Sequence, residues 1–322
     1  MRRFLTAIGG LLLCAVLPAF AEPAVLRPNA SSTADLEPLA APITMRQVLS
    51  HSAGFSYGFI EPDSVIDQAY MAAGVSAMAN QGLTLETLCD RLAELPLAYQ
   101  PGTSWRYSLA TDVLARVVEV ASGQRFDAFL RERIFDPLGM SDTDFHVPPE
   151  KQDRFTTMYA PVDLLTPMKG GLVKADDPHT GSYCRPPTLL SGGGGLVSTV
   201  ADYVTFLRAI VNGGEWGGVR LLKPATLSQM RTNQLPAGVT VAFPMWEMSD
   251  TVFGLGFALK QKPGPDEPET ATDEYHWGGM AGTHTWMAPR ADLTGVCMTQ
   301  RMPGFWHPFS HDFKRMVYAA LG

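Results

Sequence analysis

The period at which apolar residues recur changes once along this chain, and that change constrains the fold more than any other feature. From Thr44 to Met230 apolar positions recur every three to four residues in capped segments, whereas beyond Phe253 the apolar runs are short, aromatic or β-branched. The first pattern belongs to helices and the second to strands. Thr44 with Gln47 makes a capping box ahead of Met45, Val48 and Leu49, with Gly54 as the stop. Thr84 opens a helix with Leu85, Leu88, Leu92 and Leu95 on one stripe. Ser108 caps a third, which carries Leu109, Val113, Val117 and Val120 and ends at Gly123; Asp127 to Phe135 makes a fourth, broken by Pro137 and Gly139. Thr199 to Asn212 turns Tyr203, Phe206, Leu207 and Ile210 inward, and Pro224 starts another helix through Met230. Strands are expected over 253–260, 284–288 and 295–301, followed by a closing helix with Phe313, Met316, Val317 and Leu321 on one side. Helices first, then an antiparallel meander and a final helix, predict an α+β fold with helices laid on a sheet. No internal repeat is present.

The remaining segments lack such periods. Arg2 and Arg3, the apolar stretch Phe4 to Leu17 and the small-x-small site Ala19-Phe20-Ala21 read as a secretory signal peptide over 1–21, which predicts a periplasmic or secreted protein. Its removal deletes two arginines, taking the formal charge from −7 to −9, and removes Cys14, leaving Cys89, Cys184 and Cys297 as small buried hydrophobes with one disulfide left open. Residues 22–43 hold Pro23, Pro28, Pro38 and Pro42 and read as an extended lead-in. Residues 146–195 are rich in Pro and Gly and end in Ser191-Gly192-Gly193-Gly194-Gly195; a stretch of that length is expected to hide short elements. No basic run interrupts the acidic balance, which excludes a phosphate-backbone partner, and no mature segment is apolar enough to span a bilayer.

Two constellations can carry chemistry. In Pro101-Gly102-Thr103-Ser104-Trp105-Arg106-Tyr107-Ser108 a turn delivers a phenol at the N-terminus of a helix, where the helix dipole favours the tyrosinate of a general base. The plain alternative is a packed ring with a hydrogen-bonded hydroxyl. In His276-Trp277-Gly278-Gly279-Met280-Ala281-Gly282-Thr283, glycines at a strand edge open backbone N–H groups to an oxyanion, or else simply form a bulge. His307 and His311 share an i, i+4 spacing, but Pro308 lies between them and no Glu accompanies them, so no metal is assigned. Asp63, Asp67, Asp176 and Asp177 read as solvated loop or cap acids, and the six tryptophans mostly as core. No cofactor is implied.

Taken together these segments resemble the serine β-lactamase and penicillin-binding superfamily, most closely its class C β-lactamase and family VIII carboxylesterase branch. The resemblance runs in order from Ile43-Thr44-Met45-Arg46-Gln47-Val48-Leu49-Ser50-His51-Ser52-Ala53-Gly54 through Pro101-Gly102-Thr103, Tyr107-Ser108, Ile134-Phe135-Asp136-Pro137-Leu138-Gly139-Met140 and Ser191–Leu196 to His276-Trp277-Gly278-Gly279. It implies a β-lactamase/transpeptidase-like domain over 44–322, with a helical part to about residue 250 and a sheet part beyond, and a serine hydrolase acting through an acyl-enzyme on an ester, a β-lactam or a peptidoglycan-like peptide. It makes Tyr107 the general base, and places Ser108, His276, Trp277, Gly278, Gly279 and Met280 at the binding site, with either His276 or Trp277 at the position of the family's strand lysine and Trp277 able to wall an acyl pocket.

One departure matters. The family's nucleophile and its lysine form a Ser-x-x-Lys turn, which puts the ammonium one helical turn beneath the hydroxyl. Here the residues three before the seven lysines are Pro148, Thr166, Gly171, Arg220, Phe257, Leu259 and His311. Thr166-Pro167-Met168-Lys169 has a hydroxyl at that spacing, but it follows Tyr107 rather than preceding it. The 22 residues between Ala21 and Thr44 are too few for the family's N-terminal strands and nucleophile helix. The expectation is a domain without those elements, inactive as it stands and marginally folded, which a cooperative thermal transition well above about 60 °C would contradict; the alternative is a non-catalytic pseudoenzyme or truncated remnant that binds a ligand without turnover.

Overall fold

Thr44, Thr84 and Thr199 each cap a helix through the side-chain oxygen, as their sequence context predicts, the first two as capping boxes. The computed structural model describes residues 24–75, 82–244, 246–304 and 307–321, so the expected signal peptide lies outside it. Two compact units result. One comprises residues 1–130, 188–195 and 229–256, the other residues 131–187, 196–228 and 257–322, so the sheet shares its unit with two earlier segments of the chain.

In the first unit, β1 (Ala24–Leu26) and β2 (Leu36–Pro38) pair antiparallel where an extended lead-in was expected. The prolines are tolerated because the strands are three residues long and Pro38 ends the second. Val25 is fully buried and forms a parallel bridge with Leu97, which gives the hairpin its anchor. Helices α1 (Met45–Leu49), α2 (Val65–Ala72), α3 (Leu85–Ala93), α4 (Ala110–Ser122) and α5 (Phe126–Leu130) come next. In α3, Leu85, Leu88 and Leu92 are buried at the expected spacing, each contributing roughly 2 kcal/mol. Helix α4 stops at Gly123, whose φ of 71° is left-handed. The fourth predicted helix is α-helical over α5 and π-helical over Arg131–Phe135, and one further turn, Asp136–Leu138, precedes Gly139.

Helix α2 was not anticipated, because Asp67 reads as a surface acid. It is instead fully buried, accepting from Ser56 Oγ, from the Glu61 N–H at 2.7 Å and from Arg106 at 3.1 Å. Arg106 also donates through Nε to Ser56 at 2.7 Å and pairs with Glu61, so the buried carboxylate is both paired and hydrogen-bonded.

The second unit holds a hairpin, β3 (Met158–Pro161) and β4 (Leu172–Asp176), inside the stretch expected to hide short elements. Helix α6 (Val200–Val211) comes after it. Four strands of one antiparallel sheet are next: β5 (Ala258–Lys260), β6 (Tyr275–Gly278), β7 (His284–Ala288) and β8 (Leu293–Cys297). Helix α7 (Phe309–Leu321) closes the chain. Trp286, Ala288 and Tyr318 form a core cluster between β7 and α7. The stripe expected to face inward on α7 is only partly inward: Met316 and Leu321 are 71% and 59% exposed, and Ser310, Lys314 and Tyr318 are buried.

A lysine occupies the core face because carboxylates meet it there. Lys314 Nζ lies 2.5 Å from Glu274 and 2.9 Å from Glu267; Lys260 also pairs with Glu267, and Tyr318 donates to Glu274 at 2.9 Å. Replacing Glu274 by Gln leaves two ammonium groups on one carboxylate, and urea unfolding is expected to show a loss of about 3–5 kcal/mol. Among the described residues no helix is long and apolar enough to cross a membrane.

Candidate active site

Tyr107 is positioned by two loops that run side by side in the first unit. His51 adopts a left-handed φ of 56° at the end of α1, which turns residues 51–57 against residues 97–109. Four backbone bonds tie them: Ala98 N–H to Gly54 O and Gly102 N–H to Ser52 O, each 2.7 Å, with Arg106 N–H to His51 O and Leu109 N–H to Ser56 O, each 3.0 Å. Gly54 has to be glycine, because its φ is 92° and a Cβ there would lie 2.7 Å from Tyr99 O. The segments 43–54 and 101–108 of the resemblance therefore meet as the two sides of one cradle. Sequence reasoning did not single out His51, although its place in the quoted motif marks it.

The cradle is lined by rings. His51 lies 4.9 Å from Tyr107 between centroids, Tyr57 5.1 Å, Phe243 5.8 Å and Trp105 6.4 Å. Burial holds these neighbours neutral: His51 is pushed down to about 3, and the Tyr57 phenol is pushed well above its ordinary value. Arg106, next in sequence, spends its charge on Glu61 and Asp67.

Ser108 is buried, with Oγ 3.1 Å from His51 Nδ1. A hydroxyl against an imidazole is the geometry of an activated nucleophile. Here, however, protonating the imidazole costs roughly 5 kcal/mol more than in water, so it is a poor proton acceptor. The pair pins the loop to the start of α4.

The glycine run closes over the same helix start. Ser191 Oγ donates to Asp112 at 2.6 Å, and the backbone N–H groups of Gly192 and Gly193 point at that carboxylate, whose pKa burial raises. Gly193 admits no side chain: a Cβ would sit 2.6 Å from the Tyr57 hydroxyl and 2.7 Å from Thr111 Oγ1.

The strand motif lies in the second unit. The period of β6 puts His276 and Trp277 on opposite faces. His276 is buried and stacks on His284 at 5.8 Å, which meets His311 of α7 edge-on at 5.5 Å. Its pKa is lowered well below the ordinary value by burial and by the neighbouring cations. Trp277 is half-buried opposite Thr285, whose hydroxyl bonds Tyr203 of α6. Gly278 is exposed, and Met280 is half-buried in the turn after β6. The Gly279 N–H donates to Thr283 O at 2.8 Å and is therefore not free for an oxyanion.

All seven lysines belong to the second unit. Lys151, Lys174, Lys260 and Lys314 are held by carboxylates. Thr166, at the one hydroxyl-x-x-Lys spacing, sits in an exposed turn and donates to Asp163 at 2.7 Å. Cys89, Cys184 and Cys297 are free thiols, and His307 Nδ1 accepts from the Phe309 N–H at 3.2 Å. Among the described residues no cluster of His, Cys, Asp and Glu could hold a metal ion.

A family model described as Beta-lactamase matches residues 17–317. The chain belongs to the β-lactamase family. Lovastatin esterase of Penicillium rubens is 33% identical to it, over 96% of this chain and 79% of that protein. Esterase EstB of Burkholderia gladioli is 30% identical, over 88% of this chain and 70% of its own length. Among solved structures, simvastatin synthase (LovD) from Aspergillus terreus covers 100% of this chain and 78% of its own at a TM-score of 0.74 and 23% identity. EstCE1, a hydrolase with promiscuous acyltransferase activity, covers 95% and 77% at 0.74 and 24%. These likenesses establish the β-lactamase/transpeptidase-like fold, with helices and antiparallel strands as expected. The family's chemistry is that of serine hydrolases and acyltransferases.

Proposed function

We propose that this β-lactamase-family protein recognises a small acyl compound, an ester, a β-lactam or a peptidoglycan-like peptide, and that its 322 residues hold it without forming an acyl-enzyme. The supporting observation is the make-up of the cradle: Tyr107 stands among the rings of His51 and Tyr57, both held neutral by burial, and no Ser-x-x-Lys turn occurs anywhere in the sequence. No such turn activates a hydroxyl, and the imidazole beside Ser108 is held neutral by burial, which leaves that serine a weak nucleophile. The aromatic walls remain suited to an apolar acyl group. Esterase relatives favour an ester over a lactam as the ligand. The signal-peptide pattern read over 1–21 supports a periplasmic or secreted location.

A second reading, hydrolysis by another hydroxyl acting with Tyr107, draws on the Ser108–His51 contact. The two separate in a turnover assay with p-nitrophenyl butyrate and a chromogenic cephalosporin. The binding account expects rates equal to buffer for the wild type and for Tyr107→Phe, with a reversible rise in melting temperature as ester is added. Turnover that disappears in Tyr107→Phe would establish the hydrolytic reading instead.

A further inference from the structure

The β3–β4 hairpin of the second unit exposes aliphatic side chains in its loop and on both of its faces. Val162, Leu164, Leu165 and Met168 in its loop are 61%, 63%, 92% and 55% exposed, and Leu172 and Val173 of β4 are 52% and 48% exposed. Consecutive residues of a strand point to opposite faces, so Leu172 and Val173 lie on the two sides of the hairpin. A flat protein surface, or the same hairpin of a second copy laid face to face, covers one side and leaves the other wet. A medium that surrounds the tip covers all six residues together. We infer that this hairpin is a lipid-docking tip, whose occupant is the surface layer of a phospholipid bilayer.

Three further observations fit that occupant. The register pairs Tyr159 with Lys174, one step below Ala160–Val173 and two below Pro161–Leu172, so an aromatic hydroxyl and an ammonium stand at one level beneath the aliphatic tip. Amphipathic side chains of this kind settle at the headgroup boundary while apolar ones go below it. The loop between the strands carries one acid, Asp163, and one base, Lys169, so apolar area rather than charge drives the contact. Asp163 accepts from the Leu165 N–H at 2.8 Å and from Thr166 at 2.7 Å, which satisfies polar groups within the loop itself.

The tip is also held rigidly. Tyr159 N–H donates to Gln300 O at 2.9 Å, Met302 N–H donates to Tyr159 O at 2.7 Å, and the Arg301 guanidinium reaches Pro167 O. The same segment grips the turn of the strand motif, with Arg301 N–H to Ala281 O at 3.1 Å and Gly304 N–H to Met280 O at 2.8 Å. Docking therefore fixes the strand motif relative to the lipid surface. This inference does not depend on whether the protein turns over its ligand.

The experiment is sedimentation with large unilamellar vesicles of phosphatidylcholine. The protein would begin at Glu22, which keeps every described residue and leaves out the apolar leader. Binding is expected to change less than twofold between about 50 and 500 mM salt. Leu164→Ser/Leu165→Ser is expected to weaken it about tenfold or more, whereas Leu164→Ile/Leu165→Ile retains it. Both positions are exposed, so the melting temperatures of the variants should match that of the wild type, which separates lost docking from lost folding. The inference is overturned if the wild type does not bind, if the serine variant binds equally well, or if binding needs anionic lipid and disappears with salt. It is also overturned by a concentration-dependent dimer that the serine substitutions abolish.

Discussion

Lowering the pH from 7 to 5 is expected to remove about 6 kcal/mol of stability, enough to unfold a domain of ordinary stability. The cause is three histidines buried in their neutral form: His51 and His284, each pushed down to about 3, and His276, pushed well below its ordinary value. The unfolded chain protonates them near 6.5 and the folded one does not, so the unfolded state binds more protons as acid is added. Their contribution is fully present above the unfolded value and is lost as the pH falls from 6.5 toward 3, at roughly 2 kcal/mol per group by pH 5. Lys314 and Lys260 disfavour the charged forms of His276 and His284 further, through their own positive charge. A second window opens below pH 4.5. The Glu267 carboxyl lies near Lys314 and Lys260, which hold it down to about 2 despite its burial, and protonating it loses that ion pair. Urea unfolding at pH 7, 6 and 5 measures the slope, and His51→Asn should remove about a third of it. A midpoint unchanged between pH 7 and 5 would show that the three imidazoles are not held neutral.

Replacing Arg106 by Met is expected to cost about 3–5 kcal/mol, because it strands the fully buried Asp67 without its cation. The guanidinium reaches Ser56 at 2.7 Å, Asp67 at 3.1 Å, Ser64 at 3.3 Å and Glu61. A lysine can satisfy one of these partners but not the fork, so Arg106→Lys should recover only part of the loss. The double variant Arg106→Met/Asp67→Leu removes both charges and should recover most of it. The consequence reaches the site, since Arg106 immediately precedes Tyr107 and its N–H holds His51 O. A loss below about 1 kcal/mol for Arg106→Met would show that the Asp67 carboxylate does not depend on the guanidinium for its burial.

Much of the fold was legible because local chemistry and packing agree. Thr84 caps α3 and Gly123 ends α4 at the places their residue types indicate. Where long-range pairing overrides local composition, the sequence misleads. Asp67 reads as a surface residue because its partner, Arg106, lies about 40 residues away. The prolines of 22–43 hid a hairpin that Leu97 stabilises from far along the chain. At the site, Tyr107 was readable from the turn and helix around it, but its contact with His51 depends on a left-handed backbone at His51 that no residue type announces. The strand period settled the faces of His276 and Trp277 only once the register with β7 was known.

The most direct test of the central claim is intact mass spectrometry of the folded protein after incubation with a fluorophosphonate ester and, separately, with a β-lactam. With no Ser-x-x-Lys turn in the sequence, the mass is expected to stay unchanged while the protein retains its melting transition. A stoichiometric adduct of either reagent, mapped to one serine or threonine, would contradict the account and identify the nucleophile.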